Sequence, residues 1–261
     1  MRLTVLGGGG AWPQPGIPCS GYLLEMAGAG SAGARIPGAQ HPPRRVLLDP
    51  GYGTLGHLLQ YVGAADVDAV FVSHRHPDHC ADLNPLLRAR VMGEQSGPLP
   101  VFAPSGAVDA VLALDSAEMM DGAYELHEFG MGDSFDVGPL RAETRPLPHS
   151  VPNAGVRLSD GRCSVTYTGD AGPSWALPEL AEACDLLVAE ATYVDGVPTE
   201  HRDVLSDARG VAAQARLAGV GKLMLTHLGP GTDPSESLRT AREEYDGPSL
   251  VARPGRVAEL R

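Results

Sequence analysis

The stretch that most limits what this chain can be is Ser73-His74-Arg75-His76-Pro77-Asp78-His79-Cys80. Three histidines and one aspartate fall between positions 74 and 79, directly after the apolar run Val70-Phe71-Val72. Imidazole nitrogen and carboxylate oxygen suit zinc best, with iron or manganese as substitutes. In an extended segment His74 and His76 point the same way, because side chains alternate. Pro77 should turn the chain, so that Asp78 and His79 aim elsewhere. One loop could thus serve two metals. A solvated His-rich turn would read the same way unless distant residues close the coordination sphere.

Three distant residues fit that need, and each lies at or just past the end of a predicted strand. His149 follows residues 140–144 and the turn 146–148, Asp170 ends the string VTYTGD, and His227 stands in LMLTHLGP. Strand ends at one edge of a β-structure are natural places to gather a site from far along the chain. A lone histidine at a strand end is more often structural, but three such residues beside H-x-H-x-D-H point to metal.

The surrounding pattern sets the architecture. Short apolar runs bounded by Gly, Pro or Asp predict strands at 3–6, 21–26, 45–48, 69–72, 99–103, 124–128, 140–144, 155–158, 164–168, 186–189, 223–226 and 250–252, with 256–260 adding a last one. Helix signals fall at 54–62, 82–91, 105–114, 174–182, 207–218 and 234–245. Gly219 is a candidate C-cap and Asp233-Pro234 a candidate helix start. Several strands precede each helix, which favours two sheets with helices outside over one parallel sheet. The Pro/Gly-rich segment 27–44 reads as a flexible hairpin insert.

Composition removes several function classes. The net charge is −12, and Lys222 is the only lysine, so the chain lacks the basic surface that neutralises phosphate backbones. Four cysteines without a C-x-x-C pair read as reduced thiols of a cytoplasmic protein. The N-terminal apolar run is too short for a signal-peptide core, and no stretch is long enough to span a bilayer.

H-x-H-x-D-H, then a lone His, then T-G-D, then T-H after an apolar strand, resembles the ligand order of the metallo-β-lactamase superfamily. Within it the chain is most similar to the ribonuclease Z and small-phosphodiesterase branch. The likeness extends to Gly7–Gly10, Val46–Asp49 and the A-E-A-T-Y string at 189–193. It implies an α/β fold: a four-layer αβ/βα sandwich of two mixed β-sheets flanked by helices. One domain would span 1–261, its two pseudo-symmetric halves meeting near 115–125. It also implies a dinuclear site, with two zinc ions and manganese or iron as alternatives. His74, His76 and His149 would hold one metal, Asp78, His79 and His227 the other, and Asp170 would bridge them. Asp78 counts among the catalytic candidates as well. Asp49 would sit behind the ligands and orient a histidine, although an Asp before Pro50-Gly51 is also an ordinary turn starter.

Such a pair of ions would ready a bound hydroxide for attack, so no serine or cysteine nucleophile is needed. Ser73 and Cys80 read as packing or capping residues near the helix at 82. The open position is the proton donor. In ribonuclease Z-like enzymes that role is attributed to a histidine of an H-S-T motif, paired with the glutamate of E-A-T. The glutamate is present as Glu190, but counting back from His227 puts Leu205, or Val204 with a one-residue gap, where the histidine belongs. His201 is the substitute, with Glu190 as its partner or as the partner of Arg202 or Arg209. Ribonuclease Z also carries a long arm between the lone His and the bridging Asp. Here only 20 residues separate His149 from Asp170, enough for a hairpin around Ser159-Asp160-Gly161. The expectation is a phosphodiesterase acting on a small molecule such as a cyclic nucleotide, not on nucleic acid. An acyl hydrolase is the alternative, and a homodimer is the expected assembly.

Overall fold

The computed structural model describes residues 1–26, 45–93, 97–138 and 140–260. The insert at 27–44, His41 within it, and residues 94–96 lie outside the described residues.

Two seven-stranded sheets carry the fold. The first collects β1 (Arg2–Gly7), β2 (Gly21–Glu25), β3 (Arg45–Leu48), β4 (Ala69–Phe71), β5 (Leu99–Pro104) and β6 (Tyr124–Phe129). The second collects β7 (Ser134–Val137), β8 (Leu140–Leu147), β9 (Asn153–Ser159), β10 (Ser164–Tyr167), β11 (Leu186–Glu190), β12 (Leu223–Thr226) and β13 (Ser249–Val251). The last strand, β14 (Val257–Glu259), crosses back to pair with β1. The strand orders are β14-β1-β2-β3-β4-β5-β6 and β13-β12-β11-β10-β9-β8-β7. Each sheet is antiparallel at one end and parallel at the other: β3 to β6 run parallel in the first, β10 to β13 in the second.

The pleat explains the layers. Leu24, Val46, Leu48 and Phe71 point between the sheets and meet Val156, Tyr167 and Val188 of the other sheet. Their immediate neighbours Leu23, Leu47 and Val70 point outward and pack under the helix Leu83–Met92 and its companions. On the far side Leu187 and Ala189 do the same under Ala208–Ala218. These strands are buried on both faces, so they read as continuous apolar runs. A fully buried leucine such as Leu24 contributes about 1.5–3 kcal/mol relative to exposure.

The chain passes from the first sheet to the second at 130–133, after β6 has paired in parallel with β5 from Leu99↔Tyr124 to Pro104↔Phe129. Two expectations shift. The strand β7 has no counterpart in the sequence reading: it is a short edge strand with only Val137 buried, so its apolar signal is weak. The helix read at 105–114 shrinks to Asp109–Leu112, since Gly106 adopts φ +71° and breaks the first turn. Gly219 does cap its helix in the left-handed conformation, and Asp233 does accept the Ser235 N–H. The four cysteines are free and buried. Among the described residues no helix is long and apolar enough to cross a membrane.

Candidate metal centre

The fold brings five chain turns to one edge. Asp49 follows β3, the His74–His79 segment follows β4, His149 follows β8, Asp170 follows β10 and His227 follows β12. Pro77 stands at the first position of a one-turn helix, Pro77–Cys80, which swings Asp78 and His79 away from His74 and His76. Asp49 and His227 are non-glycine residues in the left-handed region, at φ 47° and 55°. Such backbone strain collects where a site dictates side-chain direction. Gly169, at φ 58°, precedes Asp170, and a Cβ there would lie 2.3 Å from the Asn153 side chain.

Two ligand clusters result, sharing Asp170. In the first, His76 Nδ1 lies 3.2 Å from His74 Nε2 and 3.1 Å from His149 Nε2. Asp170 Oδ2 stands 3.9 and 3.8 Å from those two Nε2 atoms. In the second, Asp78 Oδ2 is 3.4 Å from His79 Nε2 and 3.3 Å from His227 Nε2. Asp170 reaches the same nitrogens with Oδ1 at 3.2 Å and Oδ2 at 3.3 Å. Within each cluster the ligand atoms all lie within 4.8 Å of one another.

Hydrogen bonds behind the rings decide which nitrogens face inward. His79 Nδ1–H donates to Asp49 Oδ2 at 2.7 Å. Ser73 Oγ–H donates to the same carboxylate at 2.5 Å, which leaves the Ser73 lone pair to accept from His74 Nδ1–H at 3.0 Å. Tyr167 and the Ser73 backbone N–H also donate to Asp49, each at 2.7 Å. His149 Nδ1–H donates to the Val204 carbonyl at 2.9 Å. His227 Nδ1 lies 3.0 Å from Thr192 Oγ1. With its outer nitrogen engaged, each of these histidines leaves Nε2 to face the aspartates. Fixing the ring through its outer nitrogen is what metal-ligating histidines require.

The arrangement fits cations. His79 Nε2 and Asp170 Oδ1 are buried, 3.2 Å apart, and neither has a hydrogen-bond partner. With the Nδ1 proton already given to Asp49, this pair needs a positive charge between its atoms, either a metal ion or a second proton on the imidazole. Without metal the protons show the same demand. Burial opposes a charge on His79, but Asp170, Asp49 and Asp78 outweigh it and push the imidazole well above its usual value. Burial, with the neighbouring His79 charge, holds His74 well below that value. Burial opposes the Asp170 charge too, yet His227 and His79 hold the carboxyl well below the carboxylate range.

The catalytic candidates fall in different places. Asp78 lies inside the second cluster. Glu190 is buried at the end of β11 but does not meet His201, Arg202 or Arg209. Its Oε1 accepts the Ser206 N–H, and its Oε2 accepts both the N–H and the hydroxyl of Thr192. Burial pushes its carboxyl up to about 8, with the Asp170 charge adding to this and His227 opposing it. Arg209 instead pairs with Asp195, Glu243 and Glu244, and Arg202 with Asp203. His201 Nδ1 lies 2.6 Å from the Tyr193 hydroxyl, on the segment that carries Val204. Ser73 is no helix cap: it belongs to the Asp49 network, while Cys80 donates its thiol to the His76 carbonyl. His127 lies partly exposed beside Glu125, and Trp12 and Trp175 are exposed at 57% and 83%. Tyr167, Thr192 and Val204 are the participants that the sequence reading missed. Thr192 and Tyr167 lie inside the A-E-A-T-Y and V-T-Y-T-G-D strings, whereas Val204, which the sequence offers only as a place for the absent histidine, contributes its carbonyl.

A cleft of about 470 Å³ opens beside His149, between Met131, Pro148, Val151 and Ser174. A larger depression of about 630 Å³ lies near Trp175 and Leu217, and no histidine or carboxylate lines it. Of these two, the first is the one that touches a residue of the clusters, His149.

A family model described as a β-lactamase superfamily domain matches residues 44–228. The chain belongs to the metallo-β-lactamase superfamily. It is 32% identical to an uncharacterized protein of Mycobacterium tuberculosis over 256 residues, covering 95% of this chain and 88% of that one. It is 29% identical to the probable metallo-hydrolase YhfI of Bacillus subtilis, covering 99% and 100%. The crystal structure of YhfI superposes with a TM-score of 0.85 at 26% identity, across 99% of both chains. A ribonuclease Z of Mycobacterium bovis is 29% identical, over 95% of this chain and 94% of its own. By fold, family and His/Asp site, the chain is a metal-dependent hydrolase.

Proposed function

We propose that this hydrolase holds two divalent ions and cleaves a small phosphodiester such as a cyclic nucleotide. The observation that carries the reading is the pair of ligand clusters joined at Asp170. His74, His76 and His149 would hold one ion, and Asp78, His79 and His227 the other. Zinc suits this set of five imidazoles and two carboxylates best, with manganese or iron as substitutes. When bound, such ions supply Lewis acidity toward water and toward the scissile phosphoryl oxygen.

The chain's own residues supply orientation and protons. Asp49 and Val204 fix the rings of His79 and His149, and Asp78 holds its carboxylate toward His79 and His227. An alkoxide leaving group needs a proton, and His201 is our candidate donor. With the Tyr193 hydroxyl donating to Nδ1, its proton sits on Nε2. Relatives named ribonuclease Z support phosphodiester chemistry. The short β9–β10 hairpin and the charge of −12 support a small substrate over a nucleic acid. We place the protein in the cytoplasm, as a homodimer, away from membranes.

Acyl hydrolysis is the second reading, favoured by one observation. Leu205 stands where the branch carries its histidine, and Glu190 is already bound to Ser206 and Thr192. A thioester or lactone has a better leaving group and needs no such donor.

Metal analysis and a substrate panel test both. We expect about two ions per chain and turnover of a cyclic nucleotide or a chromogenic phosphodiester. Fewer than one ion per chain would sink the two-ion reading, and turnover of thioester or lactone alone would move the assignment to acyl hydrolysis.

A further inference from the structure

We propose that Glu190 is a positioning residue that braces both ligand clusters at once, through Thr192 to His227 and through Ser206 to His149. The proposal rests on the two-ion reading and assigns Glu190 a task other than partnering a proton donor.

Glu190 ends β11, between β10 and β12, and is 1% exposed. In its ionised form, the one that bound cations nearby favour, both of its oxygens are engaged by named donors. On one side, Oε2 accepts the Thr192 N–H at 2.8 Å and the Thr192 hydroxyl at 3.0 Å. A hydroxyl has one hydrogen, so once it is donated to Glu190 the Thr192 oxygen can only accept. The nearest donor is His227 Nδ1, at 3.0 Å. That puts the His227 proton on Nδ1 and leaves Nε2 bare toward Asp78 and Asp170. Without Glu190 the Thr192 hydrogen would be shared between the His227 carbonyl, 3.3 Å away, and Nδ1, and each donation to Nδ1 would move the ring proton to Nε2, the wrong tautomer for a ligand.

On the other side, Oε1 accepts the Ser206 N–H at 2.5 Å. The Ser206 hydroxyl in turn donates to the carbonyl of Ala171, next to Asp170, at 2.7 Å. Two residues before Ser206, the Val204 carbonyl accepts His149 Nδ1–H at 2.9 Å. The segment 204–206 is therefore a strut, tied at Ser206 to Glu190 and at Val204 to a ligand ring. Leu205, at the position that raised the proton-donor question, is the middle of that strut. The first sheet offers a parallel: Asp49 holds His74 through the Ser73 hydroxyl. A carboxylate, a hydroxyl and a ligand histidine thus occur in line twice, once behind each cluster.

The test uses the whole chain loaded with zinc or cobalt(II). Zinc affinity is measured by competition, and the exchangeable imidazole N–H signals of the cobalt(II) form are followed by proton NMR. Glu190→Gln cannot accept at both oxygens, because its amide NH₂ must face either Thr192 N–H or Ser206 N–H. We expect zinc affinity to fall about 10–100-fold and the N–H signals of both His227 and His149 to shift or disappear. Thr192→Val should disturb the His227 signal alone, and Thr192→Ser should restore it. Should Glu190→Gln fail to fold, the Thr192 pair carries the same decision. Wild-type affinity and unchanged N–H signals in Glu190→Gln, or in Thr192→Val, would overturn the proposal, as would lost turnover with affinity and signals intact. Those outcomes leave the two-ion reading standing. A wild-type chain that binds no metal overturns both.

Discussion

The cluster of Asp78, His79 and His227 is buried at every residue, whereas in the cluster of His74, His76 and His149 only His74 is: His76 is half-buried, and His149, its ring 5% exposed, sits on a partly exposed loop. The bracing differs in the same sense. Behind the closed cluster stand side chains anchored in sheet ends: Asp49 on His79 and Thr192 on His227. Behind His149 stands a backbone carbonyl from the 204–206 strut. The cleft of about 470 Å³ also opens on the His149 side. The lesson is a contrast in anchoring: His79, His227 and His74 are fixed by buried side chains, whereas His149, beside the cleft, is positioned by a loop carbonyl.

The largest expected effect comes from Asp170→Asn, which weakens both halves together. Turnover should fall about a thousandfold or more, equivalent to several kcal/mol of lost stabilisation at about 1.4 kcal/mol per decade. The metal content, measured by mass spectrometry, should drop as well. Two retained ions and rates within tenfold of wild type would break the idea of a shared ligand.

On the open side alone, His201→Ala should lower phosphodiester turnover about 10²–10⁴-fold while sparing metal content. Steady-state rates beside metal analysis decide this, and an unchanged rate would make His201 an ordinary loop residue.

Asp49→Ala leaves His79, Ser73 and Tyr167 without their shared acceptor, and through Ser73 it also loosens His74 of the open cluster. A loss of about 1–3 kcal/mol in unfolding free energy is expected, along with about 10–100-fold weaker metal binding. Denaturant titration of the metal-free protein separates the first effect from the second.

A weak chelator should remove metal in two phases, the His76/His149 ion leaving first, with rates differing about tenfold if the accessibility difference is worth about 1.4 kcal/mol. Simultaneous release, followed by absorption of the cobalt(II) form, would erase the contrast between the halves.

The smallest effect belongs to a control remote from both clusters. Burial costs the Asp160 charge a little, but the N–H groups of Cys163 and Arg162 outweigh it and hold the carboxyl below the usual carboxylate range. The folded state thus favours the charged form. Its contribution is present above the unfolded value of about 4 and is lost as pH falls through the lower folded value. Because the side chain is exposed to screening, Asp160→Ala should cost well under about 1 kcal/mol. Thermal melts near neutral and acidic pH would reveal it, and the metal content should not move.

Much of this centre was legible because its chemistry is concentrated in residue types with few other reasons to be grouped. H-x-H-x-D-H can be read locally, since Pro77 fixes where the chain turns and side-chain alternation sets the rest. His149, Asp170 and His227 were legible because each stands just beyond an apolar strand, and strands buried on both faces announce themselves. The edge strand β7 and the shortened helix at Asp109–Leu112 were not, because a half-exposed edge and a single Gly106 leave little pattern.

The sequence by itself picked out the residues of the two His/Asp clusters, the two-sheet architecture and the absence of a histidine at Leu205. Only the tertiary structure decided what Glu190 touches and which ring nitrogen each ligand turns inward. The reason is physical. Residue type fixes what a side chain can bind, but tautomer and partner depend on single hydrogen bonds between atoms far apart in the chain. Glu190 to Ser206 spans 16 residues, His149 to Val204 spans 55, and Tyr167 to Asp49 spans 118. No local pattern encodes those separations; they exist only once the two sheets have packed.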